Sequence, residues 1–195
     1  MEFSSLVEKR RSCRTFEATP VTQEQIEAIL EAGCWAPSPL NLQPWEFIVV
    51  TDPDIKNQVK EAAEKAKSEV IAADGPGWVK KYSADFVKDA PLLIAVVFDP
   101  GKGGLGTFFG QPYGALQAAS ACIQNMMLKA SELGLESLWF TFFRPDELAP
   151  VLNIPENLEM AGVIALGKPA EEVKAPPRRT PVAYRERYGT MGDEL

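Results

Sequence analysis

PYGALQAASACIQNMMLKASELG, residues 112–134, determines the architecture more than any other part of the sequence. It is rich in alanine and almost entirely apolar, and it contains no acidic residue between Pro112 and Ser131. A helix on a protein surface has one apolar and one polar face, whereas a helix that is apolar all round is buried. The stretch therefore predicts a long helix from Pro112 to Leu133, ended by Gly134, which lies in the centre of the core or against a partner chain.

Shorter patterns on either side of this helix predict the remaining elements. Four short runs rich in β-branched and aromatic residues predict strands, and two amphipathic patterns predict helices. The strands are expected at 46–51, 91–98, 137–142 and 160–167, and the helices at 21–33 and 53–70. The last residues, 168–195, are rich in Pro and Arg and show no periodicity. The chain is therefore expected to be a single α+β domain over 1–195, a small sheet flanked by helices with an extended C-terminal arm over 168–195.

Composition narrows the chemistry that the protein can perform. The chain has 195 residues, a formal net charge of −7 and no histidine. The lack of histidine excludes Ser-His-Asp and Cys-His catalysis and histidine-bound zinc, so a borrowed organic cofactor is favoured and no metal site is expected. The longest apolar run, residues 91–98, is too short to span a bilayer, and the odd number of cysteines argues against a disulfide framework. The protein is therefore expected in the cytoplasm, without a membrane partner.

A cluster of three arginines is unusual in this acidic chain. The stretch RRSCRTF, residues 10–16, contains Arg10, Arg11 and Arg14 together with Ser12. On a helix, Arg10 and Arg14 share one face, where their like charges repel unless an anion lies between them. A phosphate monoester, with a charge of about −1.5 to −2, suits such a cluster. The alternative is a solvated basic patch, and nucleic acid is not an expected partner because the acidic remainder repels a polyanion.

A proline-rich loop forms the second candidate piece. The stretch APSPLNLQPWEF, residues 36–47, contains three prolines that fix the backbone without helix or strand periodicity. Within it, Ser38, Asn41 and Gln43 present hydroxyl and amide groups that can both donate and accept hydrogen bonds. A stiff loop with these groups suits the edge of a heterocycle, and its alternative interpretation is a structural turn.

The stretch GKGGLG, residues 101–106, matches the G-x-G-x-x-G pattern but is not expected to bind a dinucleotide. That fingerprint requires its last glycine to open a helix and an acidic residue about 20 positions later. Neither condition is met in this sequence. The stretch is better interpreted as a flexible glycine loop that lets Phe108 and Phe109 move.

The C-terminal arm contains a second pair of arginines. The stretch PPRRTP, residues 176–181, holds Arg178 and Arg179 between prolines. Considered alone, this pair is most simply an ordinary basic tail.

Together these motifs resemble the FMN-dependent nitroreductase family in their order and spacing. They are R-R-S-x-R-x-F at 10–16, P-S-x-x-N-x-Q-P-W at 37–45, QNMMLKASELGLES at 124–137, and the late arginine pair. The resemblance covers nearly the whole chain. It implies a nitroreductase-like fold with a small, mainly antiparallel sheet, and a homodimer with two FMN sites at the subunit interface.

The resemblance also implies roles for individual residues. The ligands of the FMN phosphate and ribityl chain are expected to be Arg10, Arg11, Ser12, Arg178 and Arg179. Arg14 is expected beside the N1/O2 edge of the flavin ring, where a fixed cation stabilises the negative charge of the reduced ring.

Further residues complete the expected site. The second subunit is expected to contribute Pro37, Ser38 and Pro39, with Asn41 in the same loop, and the cofactor set also includes Phe140 and Thr141. Phe108 and Phe109 are expected to gate the substrate. Thr141 and Phe142 stand where relatives often have Gly-Gly or Glu-Gly, and a threonine there resembles the iodotyrosine-deiodinase-like branch, in which the hydroxyl bonds flavin N5.

The function implied by the resemblance is an FMN oxidoreductase. Hydride from NADH or NADPH reaches flavin N5 and passes to a nitroaromatic, a quinone or a similar flat small molecule in a ping-pong cycle. No catalytic acid or base from the protein is expected, which agrees with the missing histidine. The alternatives are a reductive dehalogenase or a flavin-fragmenting enzyme on the same fold, and a non-catalytic flavin carrier or sensor.

Overall fold

The computed structural model describes residues 2–189 and shows a four-stranded antiparallel sheet flanked by helices, as the sequence predicts. The strands are β1 (Trp45–Val50), β2 (Leu92–Phe98), β3 (Glu136–Phe140) and β4 (Glu159–Gly167), in the spatial order β1-β2-β4-β3. The helices are α1 (Phe3–Lys9), α2 (Gln23–Cys34), α3 (Pro53–Ala72), α4 (Asp85–Asp89), α5 (Gly114–Glu132) and α6 (Pro145–Val151). Each predicted strand and helix is confirmed to within a few residues at its ends.

α5 is the long apolar helix that the sequence predicts, and nine of its residues are buried, which confirms its place in the core. Its C-terminus is closed by Gly134, whose φ of +78° lets the Leu135 N–H donate to the Ala130 carbonyl at 2.9 Å. α2 packs closely on α5 because Gly33 has no side chain; a Cβ there would lie 2.8 Å from Met126 Cγ.

The sheet separates two apolar clusters. On one face α2 and α5 contribute Ile29 and Ile123, and on the other face α3, α4 and α6 contribute Val59, Val87 and Leu148. β2 is buried at every position, as predicted for a strand covered on both faces. The edges of the sheet are formed by β1 and β3, whose outer main-chain groups are available to other segments.

Local signals place the start of α2, whereas the short helices α1 and α4 begin without a side-chain cap. Thr22 Oγ1 accepts a hydrogen bond from the Gln25 N–H, and the Gln25 side chain accepts one from the Thr22 N–H, which is the predicted capping box. The sequence did not predict α1, α4 and α6. Each has five to seven residues and buries no more than two, which is too few for a helical period to be recognised.

The chain after β4 runs as the predicted arm. Residues 168–189 contain no helix or strand beyond an isolated bridge between Pro169 and Phe16. Residues 190–195 of the predicted arm lie outside the described residues. Between residues 2 and 189, no helix is both long enough and apolar enough to cross a membrane.

Candidate functional site

The basic stretch 10–16 is extended, so the helical interpretation of its arginines is wrong. α1 ends before it, and Arg10 has φ −53° and ψ 129°. The Cys13 N–H donates to the Ser137 carbonyl of β3 at 3.0 Å, and Ser12 forms an isolated bridge with Ser137. The stretch adds to the edge of β3 because an edge strand offers unpaired main-chain groups.

Because the backbone of the stretch is extended, Arg10 and Arg14 are further apart along it than they would be on a helix. Alternate side chains of extended chain point to the same side, so Arg10, Ser12 and Arg14 face one way while Cys13 faces the core and is fully buried. Four residues of extended chain span about 13 Å, compared with about 5–6 Å between i and i+4 side chains on a helix. This spacing allows Arg10 and Arg14 to contact the two ends of one elongated ligand.

A cluster of cations surrounds Arg10. Burial lowers the pKa of the Arg10 guanidinium, the positive charges of Arg178 and Arg11 lower it further, and the Glu136 carboxylate opposes them. The arm thus brings Arg178 close to a residue more than 160 positions earlier, and its predicted role as a phosphate ligand stays a prediction. Arg179 follows it on the exposed arm. Like charges held together at a half-buried place favour an anionic ligand.

Arg11 differs from its neighbours in what its side chain does. Its guanidinium Nη1 donates to the Arg10 carbonyl at 2.7 Å. The same side chain lines an open cavity of about 710 Å³, together with Lys9, Glu136 and residues 169–175. The predicted role of Arg11 as a phosphate ligand stays a prediction, and the structure adds a local role in holding the backbone.

Glu136 is a candidate residue that the sequence did not indicate. Its Oε2 accepts a hydrogen bond from the Arg11 N–H at 3.1 Å. Burial raises the pKa of this carboxyl group, whereas the Arg11 hydrogen bond and the charges of Lys9, Arg10 and Arg11 lower it. Glu136 lies within the stretch 124–137 that contributes to the resemblance, but nothing in the sequence places it beside the arginines, and only the fold brings them together.

Aromatic side chains lie near Arg14, at the far end of the extended stretch from Arg10. Burial raises the pKa of the Tyr82 hydroxyl, and the nearby charge of Arg14 lowers it. The Tyr82 ring contacts Phe142 edge-on at 5.0 Å between centroids, and Trp78 lies 6.1 Å from Phe142. Within the part of the chain that the structure describes, Tyr82 Oη is buried and has no hydrogen-bond partner. Trp78 and Tyr82 were not predicted, because they lie outside the motifs.

Thr141 and Phe140 have different environments although they are adjacent. Thr141 follows β3 directly and is exposed, so its hydroxyl is accessible to a ligand. The Phe140 ring is buried, with its centroid 5.3 Å from that of Phe86 and 5.6 Å from that of Phe143. The ring of Phe140 therefore belongs to the core, and the prediction of Phe140 as a cofactor residue stays a prediction that only its main chain could fulfil.

The proline loop is held by its own polar groups. Ser38 Oγ accepts a hydrogen bond from the Gln43 N–H at 3.0 Å, and the Gln43 side chain donates to the Asn41 carbonyl. Pro37, Ser38 and Pro39 line a shallow cavity of about 230 Å³ against α5. The loop therefore packs on α5, whereas the basic stretch lies along β3. A site in which the two pieces come from different subunits, as the resemblance implies, is compatible with this separation.

The glycine stretch 101–106 packs against this loop. Gly104 has φ +74°, and a Cβ there would lie 2.6 Å from Pro39 Cβ, so glycine is required by a close approach as well as by the backbone. Phe108 and Phe109 follow in a short 3₁₀ helix, and each ring is 81% exposed. The prediction that these two rings gate a substrate stays a prediction.

Comparison with known proteins identifies one family. A family model described as Nitroreductase family matches residues 7–168. A putative NADH dehydrogenase/NAD(P)H nitroreductase of Archaeoglobus fulgidus is 31% identical over 176 residues, covering 88% of this chain and 87% of that protein. Iodotyrosine deiodinase 1 of Sus scrofa is 31% identical over 186 residues, covering 90% of this chain and 64% of that protein. The chain therefore belongs to the nitroreductase family.

Solved structures have the same fold. Oxidized iodotyrosine deiodinase bound to FMN and 3-iodo-L-tyrosine has a TM-score of 0.82 at 24% identity, covering 97% of this chain and 100% of that chain. A nitroreductase family protein of Clostridium difficile 630 has a TM-score of 0.77 at 29% identity, covering 98% of this chain and 100% of that chain. The predicted nitroreductase-like fold is confirmed.

Proposed function

We propose that the protein is an FMN-dependent oxidoreductase that uses NADH or NADPH to reduce nitroaromatics, quinones or similar flat small molecules. The observation that supports the proposal is the half-buried Arg10 cluster with Arg14 further along the same extended stretch. Arg14 lies near Tyr82, whose ring contacts Phe142, the residue after the exposed Thr141. An anion site at one end and a cation with a hydroxyl at the other suit a ligand that has a phosphate and a distant ring. FMN has this shape and charge.

The residues fit the cofactor in their chemistry. Arg10 and Arg178, with Arg179, supply guanidinium groups for a phosphate monoester, and Ser12 supplies a hydroxyl on the same side of the extended stretch. Arg14 can hold negative charge at the pyrimidine edge of the ring, and Thr141 can donate a hydrogen bond to a ring nitrogen. When bound, FMN supplies a ring that takes up hydride from a nicotinamide and delivers it to an acceptor. The protein's share is to bind, orient and stabilise charge.

We assign the reaction to the cytoplasm. Cys13, Cys34 and Cys122 are all free thiols. Free thiols are the expected state in a reducing compartment. The same compartment provides reduced nicotinamides to the proposed reaction.

A reductive dehalogenase is the second candidate, and specific observations favour it. Thr141 is an exposed hydroxyl at the end of β3, and the neighbouring Phe142 belongs to the aromatic group with Trp78 and Tyr82. Iodotyrosine deiodinases are among the relatives. A site walled by aromatic rings suits a halogenated phenol as well as a quinone.

Turnover separates these candidates. With added FMN, oxidation of NADH or NADPH is expected to rise at least about tenfold when menadione or a nitroarene is supplied, because hydride transfer then has an acceptor. The dehalogenase predicts iodide release from 3-iodo-L-tyrosine under reducing conditions instead. A flavin-loaded protein that oxidises neither nicotinamide and reduces no acceptor would contradict the enzymatic proposal and favour a carrier or sensor.

We further propose a homodimer whose interface includes the apolar rim of the glycine and proline loops. The rim consists of exposed apolar side chains next to the start of α5: Leu40, Leu105, Phe108, Phe109, Tyr113 and Leu116. A patch of this kind marks an interaction site in a water-soluble domain. Two copies joined there would bring the proline loop of one subunit towards its partner.

The dimer proposal is tested by sedimentation. Wild-type protein is expected to sediment as a dimer, and Leu105→Glu is expected to shift it to the monomer and release flavin, because a buried carboxylate opposes association. Ile71→Glu is the matched control, since Ile71 is also exposed but lies on α3, in the other layer. A wild-type monomer that retains FMN tightly would refute the shared site.

A further inference from the structure

Glu136 lies within a group of cations that the proposed phosphate site also uses. Its carboxylate accepts a hydrogen bond from the Arg11 N–H at 3.1 Å. It interacts with the charges of Lys9, Arg10 and Arg11, and Arg10 in turn interacts with Arg178. The carboxyl group is half-buried at the start of β3. The Glu136 carboxylate thus lies among the cations that the proposed function assigns to the phosphate of FMN.

We propose that the Glu136 carboxylate balances the positive charge of the phosphate site in the cofactor-free protein. The phosphate of FMN then competes with this carboxylate for the positive charge of the arginines. This inference rests on the proposed function, since it assigns a regulator to the same site. In the cofactor-free protein, the carboxylate partly neutralises the cluster and holds the extended stretch in place. When phosphate binds near Arg10, it and the Glu136 carboxylate repel each other.

The charged groups around Glu136 determine whether phosphate binding is accompanied by uptake or release of a proton. Lys9 comes from α1, Arg10 and Arg11 come from the extended stretch, and the arm adds further charged side chains to the cavity wall: Glu171, Glu172 and Lys174. Binding of a phosphate adds negative charge, which favours the protonated form of Glu136. Binding is therefore accompanied by proton uptake, and ionised Glu136 weakens FMN binding.

The raised pKa of Glu136 supports this scheme, because a half-buried carboxyl group takes up a proton more readily than a solvated one. The linkage acts around the raised pKa of Glu136, above the ordinary range of a glutamate. As pH falls through the pKa of Glu136, the repulsion disappears. As pH rises above that pKa, the repulsion is fully present. FMN itself also loses a proton with rising pH, at about pH 6, so the comparison must be made between variants at each pH.

Glu136→Gln tests the proposal with little change of shape. A glutamine carbonyl can still accept the hydrogen bond from the Arg11 N–H, while the negative charge is removed. At pH 8 the variant is expected to bind FMN about three- to tenfold more tightly than wild type, because the ionised Glu136 carboxylate no longer repels the phosphate. Riboflavin, which has no phosphate, is expected to bind both proteins equally. The advantage of the variant for FMN is expected to shrink as pH is lowered.

A matched control removes the same charge elsewhere. Glu46→Gln changes an exposed carboxylate on β1, at the opposite edge of the same sheet, and is expected to leave both affinities unchanged. Fluorescence quenching of FMN and of riboflavin measures all three proteins. Equal FMN affinity of wild type and Glu136→Gln overturns the proposal. Weaker binding of both flavins by Glu136→Gln also overturns it, because that result assigns Glu136 a structural role only. A wild-type protein that binds neither flavin contradicts the proposed function itself, and the inference with it.

Discussion

Arg10→Ala is expected to weaken FMN binding about 10- to 150-fold, which corresponds to about 1.5–3 kcal/mol for a hydrogen bond to a charged group. Arg10 is half-buried and lies near Arg11 and Arg178, so its loss removes the most desolvated cation of the site. Arg178→Ala and Arg179→Ala are expected to act in the same direction with smaller effects, because both side chains are exposed on the arm. Fluorescence quenching by FMN measures each affinity.

Two controls separate a phosphate contact from a general loss of structure. Riboflavin is expected to bind wild type and Arg10→Ala about equally, since it has no phosphate. Arg144→Ala removes a guanidinium that is paired with Asp146 and Glu69, and is expected to leave FMN affinity unchanged. If Arg10→Ala weakens riboflavin as much as FMN, Arg10 is not a phosphate ligand.

Arg14→Ala is expected to lower the reduction potential of the bound flavin by tens of millivolts. A cation at the ring edge stabilises the negative charge that two-electron reduction adds, and for such a couple about 30 mV corresponds to 1.4 kcal/mol. The extended backbone supports separate roles for the two arginines, because four residues of extended chain span about 13 Å. Hydride transfer from NADH or NADPH is expected to slow at saturating FMN.

Dye equilibration on wild type, Arg14→Ala and Arg10→Ala measures the potential. Arg10→Ala serves as the comparison, because a phosphate ligand is expected to change affinity with little change in the potential of flavin that is still bound. Loss of FMN by Arg14→Ala with an unchanged potential of the residual bound flavin would show that the roles are wrongly assigned.

The elements that can be predicted from the sequence are those with a recognisable capping motif or a long apolar run. α5 was predictable because its apolarity extends over nine buried positions, and α2 because Thr22 and Gln25 form a recognisable cap. β2 was predictable because burial on both faces gives a continuous apolar run. Signals of this kind depend on neighbours in the chain, so no knowledge of tertiary contacts was needed.

The parts that were missed depend on contacts between distant residues. The conformation of 10–16 is set by a hydrogen bond from Cys13 to Ser137, and the arginine spacing alone suits a helix equally well. Glu136 meets Arg11 only because the two segments lie side by side. The alternation of β3 directs the ring of Phe140 into the core, where it contacts Phe86 and Phe143. Motif order identified the family, whereas the environment of each side chain required the fold.

The visible spectrum of the purified protein shows whether Arg10, Arg14 and Arg178 hold FMN. The protein is expected to be yellow, to contain up to one flavin per chain, to take up added FMN until each chain is occupied, and to release FMN rather than FAD on denaturation. A colourless protein that also fails to take up added FMN would mean that these arginines do not hold the cofactor.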